Sequence, residues 1–186
     1  MKKFLLLAVV TALGVTNANA QKIKFGAKGG LNFASISGDN TKDIDAVAAF
    51  NFGLLSEIPI SDKFSFQPEV MFSGQGYSFK DNDNLVALNY LNVPLMGKYY
   101  LTKGLSIEAG PQLGFLLSAK NEKKDVKDSF KTFDFGINFG LGYKLDNGLN
   151  FGARYNLGLT DINNLDNSSS KNKNGVLQVS VGYFFF

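Results

Sequence analysis

The chain has 186 residues, with 19 lysines and arginines against 16 acids, a formal charge of +3, and no histidine, cysteine or tryptophan. Without histidine or cysteine it cannot build Ser-His-Asp or Cys-His catalytic sets, histidine-containing metal sites, disulfides or a lipid-modified cysteine. Glycine at 20 and phenylalanine at 18 are abundant instead, a bias toward strands and tight curvature over helical bundles.

The N-terminus reads as a secretory signal peptide. Lys2 and Lys3 precede an apolar run from Phe4 to Val15, and small polar residues then lead to Ala18-Asn19-Ala20 ahead of Gln21. The run falls short of the ~20 apolar residues of a spanning helix. Residues 1–20 are therefore expected to be cleaved, leaving residues 21–186 as one exported domain without a transmembrane helix. Two lysines and no acids leave with the signal, so the formal charge falls to +1, which argues against a nucleic-acid partner.

Eight strands follow in chain order, predicted at 22–35, 47–58, 64–79, 86–101, 105–120, 133–145, 149–160 and 176–185 from alternation between turn signals. The sixth is the clearest. Phe133, Phe135, Ile137, Phe139, Leu141, Tyr143 and Leu145 take every second place, while Asp134, Gly136, Asn138, Gly140, Gly142 and Lys144 fill the other phase. The same apolar phase carries Phe25 and Phe33 on the first strand, Phe50 and Phe52 on the second, and Phe66 and Phe72 on the third. It continues with Tyr99 on the fourth, Phe115 on the fifth, Phe151 and Tyr155 on the seventh, and Tyr183 on the eighth. The opposite phase carries Lys28, Glu57, Glu69, Lys98, Glu108, Asp134, Lys144 and Arg154.

Several of these strands reach the ~9 to 11 residues that cross a bilayer at a tilt. Segments 59–63, 102–104 and 146–148 are tight turns, whereas 37–46, 80–85, 121–132 and 161–174 are long and hydrophilic. Short turns at one end and long loops at the other, with one greasy and one ionic phase, predict an all-β, eight-stranded antiparallel up-and-down transmembrane barrel. The greasy phase faces lipid in this reading, and the ionic phase fills the lumen as an ion-pair network.

Arg154 is the single arginine, and its fork can hold two carboxylates. Strand order makes Glu108 and Asp134 its expected partners. Glycines 110, 114, 136, 140, 142, 152 and 158 share the inward phase and relieve crowding in a narrow cylinder. Pro68, Pro94 and Pro111, on three successive strands, predict local bulges.

Four stretches carry a family resemblance: Gln67-Pro68-Glu69, the run from Tyr90 through Val93-Pro94-Leu95 to Tyr100, Ala109-Gly110-Pro111, and the run from Arg154 to Asp161. In their order and spacing the chain resembles the small outer-membrane β-barrel family that includes PorT-like and porin-family proteins of Gram-negative bacteria. The resemblance implies an eight-stranded barrel in the outer membrane with no catalysis and no cofactor. It also implies a structural, interactive or weakly solute-passing role, with an accessory part in protein secretion as the PorT-like alternative. The partners that accompany it are outer-membrane lipid and lipopolysaccharide, the barrel-assembly machinery, and an extracellular or secretion-system protein. It further implies that Tyr183, Phe185 and Phe186 form the assembly signal, although Phe186 extends one residue past the lipid-facing phase and calls for an overhang or a bulge.

Two rivals remain at this point. Glu57, Glu69, Glu108 and Asp134 share a phase, as a carboxylate-only hydrolase would require. A soluble periplasmic lipocalin-like barrel would turn the aromatic phase inward around an apolar ligand and place the ionic phase outside.

Overall fold

The computed structural model describes residues 23–80, 84–164 and 170–185; the expected signal segment and Phe186 lie outside them. The wall is a closed antiparallel sheet of eight strands: β1 (Lys24–Gly38), β2 (Ile44–Pro59), β3 (Phe64–Phe79), β4 (Leu85–Tyr100), β5 (Leu105–Asn121), β6 (Phe133–Lys144), β7 (Leu149–Gly158) and β8 (Asn172–Phe184). Each strand pairs with its neighbour in sequence, and β8 returns to β1 from Gly26↔Phe184 to Gly38↔Asn172. A closed meander leaves no unpaired edge, which is what a strand-built span requires in hydrocarbon. A two-residue strand, Lys124–Asp125, pairs back onto the end of β5 and prolongs it as a hairpin into the loop region.

The apolar phase lies outside. Phe25, Phe33, Phe50, Phe52, Tyr99, Phe115, Phe133, Phe139, Tyr143, Phe151, Tyr155 and Tyr183 are exposed, and Phe66, Phe72 and Phe135 are half-buried on the same wall. Phe72 stacks on Phe52 and Phe133 leans on Phe115, with ring centroids 5.1 and 5.8 Å apart. Lys28, Glu57, Glu69, Lys98, Glu108, Asp134 and Arg154 are buried inside. This arrangement is the reverse of a soluble barrel and overturns the lipocalin-like alternative.

Strands β1, β2 and β8 run three to four residues further at the long-loop end than alternation predicts, with Ile36↔Asn174, Ser37↔Lys173 and Ile44↔Phe79 among the added pairs. Ser37, Asp45 and Lys173 in these extensions are polar and exposed, so backbone pairing continues where the greasy alternation has ended.

The predicted proline bulges are corrected. Register runs unbroken from Pro68↔Leu95 to Met71↔Asn92, from Pro94↔Gln112 to Gly97↔Ala109, and past Pro111↔Ile137. A proline removes a ladder donor without inserting a residue, so pairing is interrupted and register is kept. The register shifts fall instead between Ala46 and Asn51 on β2 and between Asn89 and Tyr90 on β4, both toward the loop end. Strand β8 has no shift among its described pairs. Phe184 turns inward and is buried, Tyr183 and Phe185 point out, and the Phe185 amide donates to the Phe25 carbonyl.

Candidate functional site: the filled lumen

The lumen is built in levels. Nearest the short turns, Lys144 Nζ and Tyr100 Oη both donate to Glu57 Oε1, at 2.6 and 2.9 Å. Lys98 lies 3.7 Å from Glu57 Oε2 and 3.1 Å from Glu108 Oε1, placing it between two carboxylates. Arg154 Nη2 reaches Glu108 Oε2 at 2.9 Å, and its fork holds Glu69 through Nη1–Oε2 at 3.1 Å and Nη2–Oε1 at 3.0 Å. Lys28 closes the series on Glu69 Oε2 at 2.7 Å. The result is one alternating chain: Lys144, Glu57, Lys98, Glu108, Arg154, Glu69, Lys28. Buried charges are tolerable when paired and hydrogen-bonded in this way.

Arg154 is the hub, but one of its partners differs from expectation. Arg154 is in register with Gly140, and Gly140 with Glu108. The glycine between them leaves room for the guanidinium to cross to Glu108, and a Cβ there would press on the Arg154 Cβ at 3.1 Å. Glu69 arrives from β3 at the same level. Asp134 is on the strand next to Arg154 but six residues along it from Gly140, roughly 20 Å at strand rise.

Asp134 is therefore corrected as a member of the ion-pair network: among the described residues it pairs with no cation. It is held by Thr160 Oγ1 and by Asn174 Nδ2, the latter at 2.9 Å. In a barrel, height decides contact, and strand adjacency does not. Gly142 shows the same economy, since a Cβ there would strike the Glu108 carboxylate.

Beyond the ionic level lies a belt of amides. Asn32 donates to Ser73 Oγ and the Gly74 carbonyl while accepting from Asn51 and Gln178, and Asn138 links Gln112 to Asn156. The voids here are small. One of about 20 Å³ lies among Lys28, Glu108, Asn150 and Arg154, and one of about 10 Å³ lies among Ser73, Gln75, Gln112 and Asn156. Each has room for about one water molecule.

The loop end is closed by an apolar plug that the sequence reading did not anticipate. Val86, Leu88 and Tyr90 of β4, Leu116 and Ala119 of β5, and Phe130 and Ile162 from the two long loops form one buried cluster. Its signal was present: Val86, Leu88 and Tyr90 share the inward phase with Asn92 and Lys98, so β4 is apolar on both faces at this end. The loops come in because they are tied down. Asp161 Oδ1 accepts from the Asn163 and Asn172 amides, and Asp161 Oδ2 accepts from Lys131 Nζ at 2.8 Å. Slight burial pushes the Asp161 carboxyl up, and these three donors outweigh it and hold it below the usual carboxylate range.

At the opposite end the lumen opens as a cup of about 610 Å³, lined by Lys24, Glu57, Tyr100, Lys144 and Phe184 among others. All three glutamates that suggested paired-acid hydrolysis are engaged by cations within the network.

A family model for the outer membrane protein beta-barrel domain matches residues 19–164. The chain belongs to that family. The match stops before β8, which the structure supplies as the strand that closes the wall. No relative was found among curated proteins by sequence. Among solved structures, Neisserial surface protein A superposes with a TM-score of 0.60 at 14% identity, covering 89% of this chain and all of that one. The attachment invasion locus protein Ail of Yersinia pestis gives 0.55 at 14% over 89% and 100%. OprG of Pseudomonas aeruginosa gives 0.50 at 17% over 87% and 95%. These likenesses are likenesses of fold. The family match places the chain among outer-membrane β-barrels.

Proposed function

We propose that this protein is a closed, non-enzymatic barrel of the outer membrane whose wall is an anchor and whose long-loop end is its working surface. The observation behind this reading is the occupied lumen: seven charged side chains linked end to end, an amide belt with voids the size of a single water, and an apolar plug above them. A solute would have to break the Arg154 fork and displace Tyr90 and Ile162 together. The greasy wall is solvated by outer-membrane lipid and lipopolysaccharide, and Tyr183, Phe185 and Phe186 serve the barrel-assembly machinery during biogenesis. The loop segments around Phe130 and Ile162, held from below by the plug and by Asp161, present a face to an extracellular partner.

Two measurements test this. In liposome swelling, vesicles containing the purified barrel should shrink in small sugars and stay shrunk, as protein-free vesicles do. Swelling at a rate proportional to protein would refute closure. On intact cells, external protease should cut within the long loops and spare the turns at 60–63 and 101–104; cleavage at those turns would reverse the proposed orientation.

A further inference from the structure

The greasy wall is uneven around its circumference. Phe50, Phe52 and Leu54, successive outward residues of β2, are 71, 58 and 65% exposed, whereas no other large apolar side chain on the described strands exceeds 54%. The cause lies on the neighbouring strand. Ala27 stands level with Leu54 and Gly29 with Phe52, so β1 offers these side chains almost nothing to lean on. A proud ridge on β2 therefore runs beside a trench over β1 and β8, about 360 Å³ in volume and lined by Ala27, Gly29, Leu149, Val181 and Tyr183.

The barrel itself does not need the glycine that deepens this trench. A Cβ on Gly29 would meet nothing nearer than the Asn51 carbonyl at 3.5 Å and the Phe52 Cβ at 3.7 Å, whereas one on Gly30 would strike the Val179 carbonyl. A glycine inside a strand weakens it and often marks close approach by something outside. In lipid no hydrophobic drive brings two walls together, and association relies on packing at small residues that admit a neighbour's side chains.

Ridge and trench lie side by side at one height. Two copies inserted with the same end outward and related by a two-fold have their axis along the membrane normal, and such an axis sets equal heights face to face. An axis passing between β1 and β2 lays the ridge of each copy in the trench of the other. We propose that the protein forms a two-fold dimer in the membrane through β1 and β2, with Phe52 and Leu54 of each copy seated over Ala27 and Gly29 of the other. Counting about 200 Å² for each large side chain, the ridge and trench walls present roughly 600 Å² per copy, short of the ~800 Å² per partner of a stable interface. The dimer is therefore weak and reversible. It rests on the wall facing lipid and is independent of whether the lumen is closed.

The test is energy transfer between donor- and acceptor-labelled full barrels in phospholipid vesicles, over a series of protein-to-lipid ratios. The chain has no cysteine, so Lys123→Cys in an exposed loop takes the label. Transfer should exceed that of randomly placed barrels and saturate as the ratio rises. Phe52→Ala should weaken association by about tenfold, as for removal of an aromatic anchor. Gly29→Val, whose Cβ has room in its own barrel and whose folding is checked by heat-modifiable gel mobility, should fill the trench and weaken association as much. Phe139→Ala, on the opposite wall at 53% exposure, should leave it unchanged. Transfer no higher than random placement, as when acyl chains fill the trench, would overturn the dimer. Association unmoved by Phe52→Ala and Gly29→Val, or lowered equally by Phe139→Ala, would do the same. Barrels that stay in buffer and never enter the vesicles would overturn the lipid-facing wall together with the dimer.

Discussion

The two ends of the lumen close by opposite means. Toward the short turns the interior is a salt, with Arg154 gripping Glu69 and Glu108 and every carboxylate shared between cations. Toward the loops it is an ordinary hydrophobic core, with Leu88, Tyr90 and Ile162 almost wholly buried. The two differ in what a single change does. A charge stripped of its partner in the middle of a barrel has no water to turn to, whereas a truncated leucine beside loops can be partly backfilled as the loops settle.

Arg154→Ala should therefore be the most damaging substitution, costing about 3 to 5 kcal/mol because Glu69 and Glu108 are left buried and under-compensated. Urea unfolding in detergent, followed by loss of the fast-migrating unheated band, measures it. Arg154→Lys should recover only part, since an ammonium cannot hold both oxygens of Glu69 and reach Glu108. Leu88→Ala should cost about 2 to 5 kcal/mol, toward the lower end if the loops collapse into the space. It should also raise protease sensitivity at the loop end while leaving the lumen sealed, because the ionic level is untouched.

Asp161 should have a smaller effect, confined to the loops. Its folded carboxyl is held below its ordinary value, so its contribution is complete above the unfolded value of about 3.9 and is lost as pH falls through the lower folded one. Loop proteolysis by an acid-active protease should accelerate in that range, and Asp161→Asn should show the faster cutting at neutral pH with the acid step removed. Least of all, Lys103→Ala breaks a pair in which both side chains are about four-fifths exposed, and should change stability by less than about 1 kcal/mol. If Lys103→Ala proved as costly as Arg154→Ala, the contrast between enclosed and exposed ion pairs would be lost.

Most of the wall was legible in the sequence because a membrane barrel writes its two faces in strict alternation, nowhere more plainly than from Phe133 to Leu145. The identities of the enclosed charges were legible for the same reason. Their pairing was not. Alternation says that Arg154 and Asp134 point inward, but whether they meet depends on height, which follows from the stagger of strands around a closed sheet. That stagger put Glu69 of β3 against Arg154 of β7 and left Asp134 with Thr160 and Asn174. The plug was missed because long hydrophilic loops suggested solvent, while the few apolar residues in them, Phe130 and Ile162, had their complement in the second apolar face of β4. The strand extensions at the loop end escaped because Ser37, Asp45 and Lys173 carry no alternation to detect.

The lumen is shut at both the ionic level and the plug, and recordings of single barrels in planar bilayers test that closure most directly. The native protein should give no steady open level at moderate voltage, and Leu88→Ala should be equally silent. A reproducible, stepwise, ohmic conductance from the native chain would contradict it.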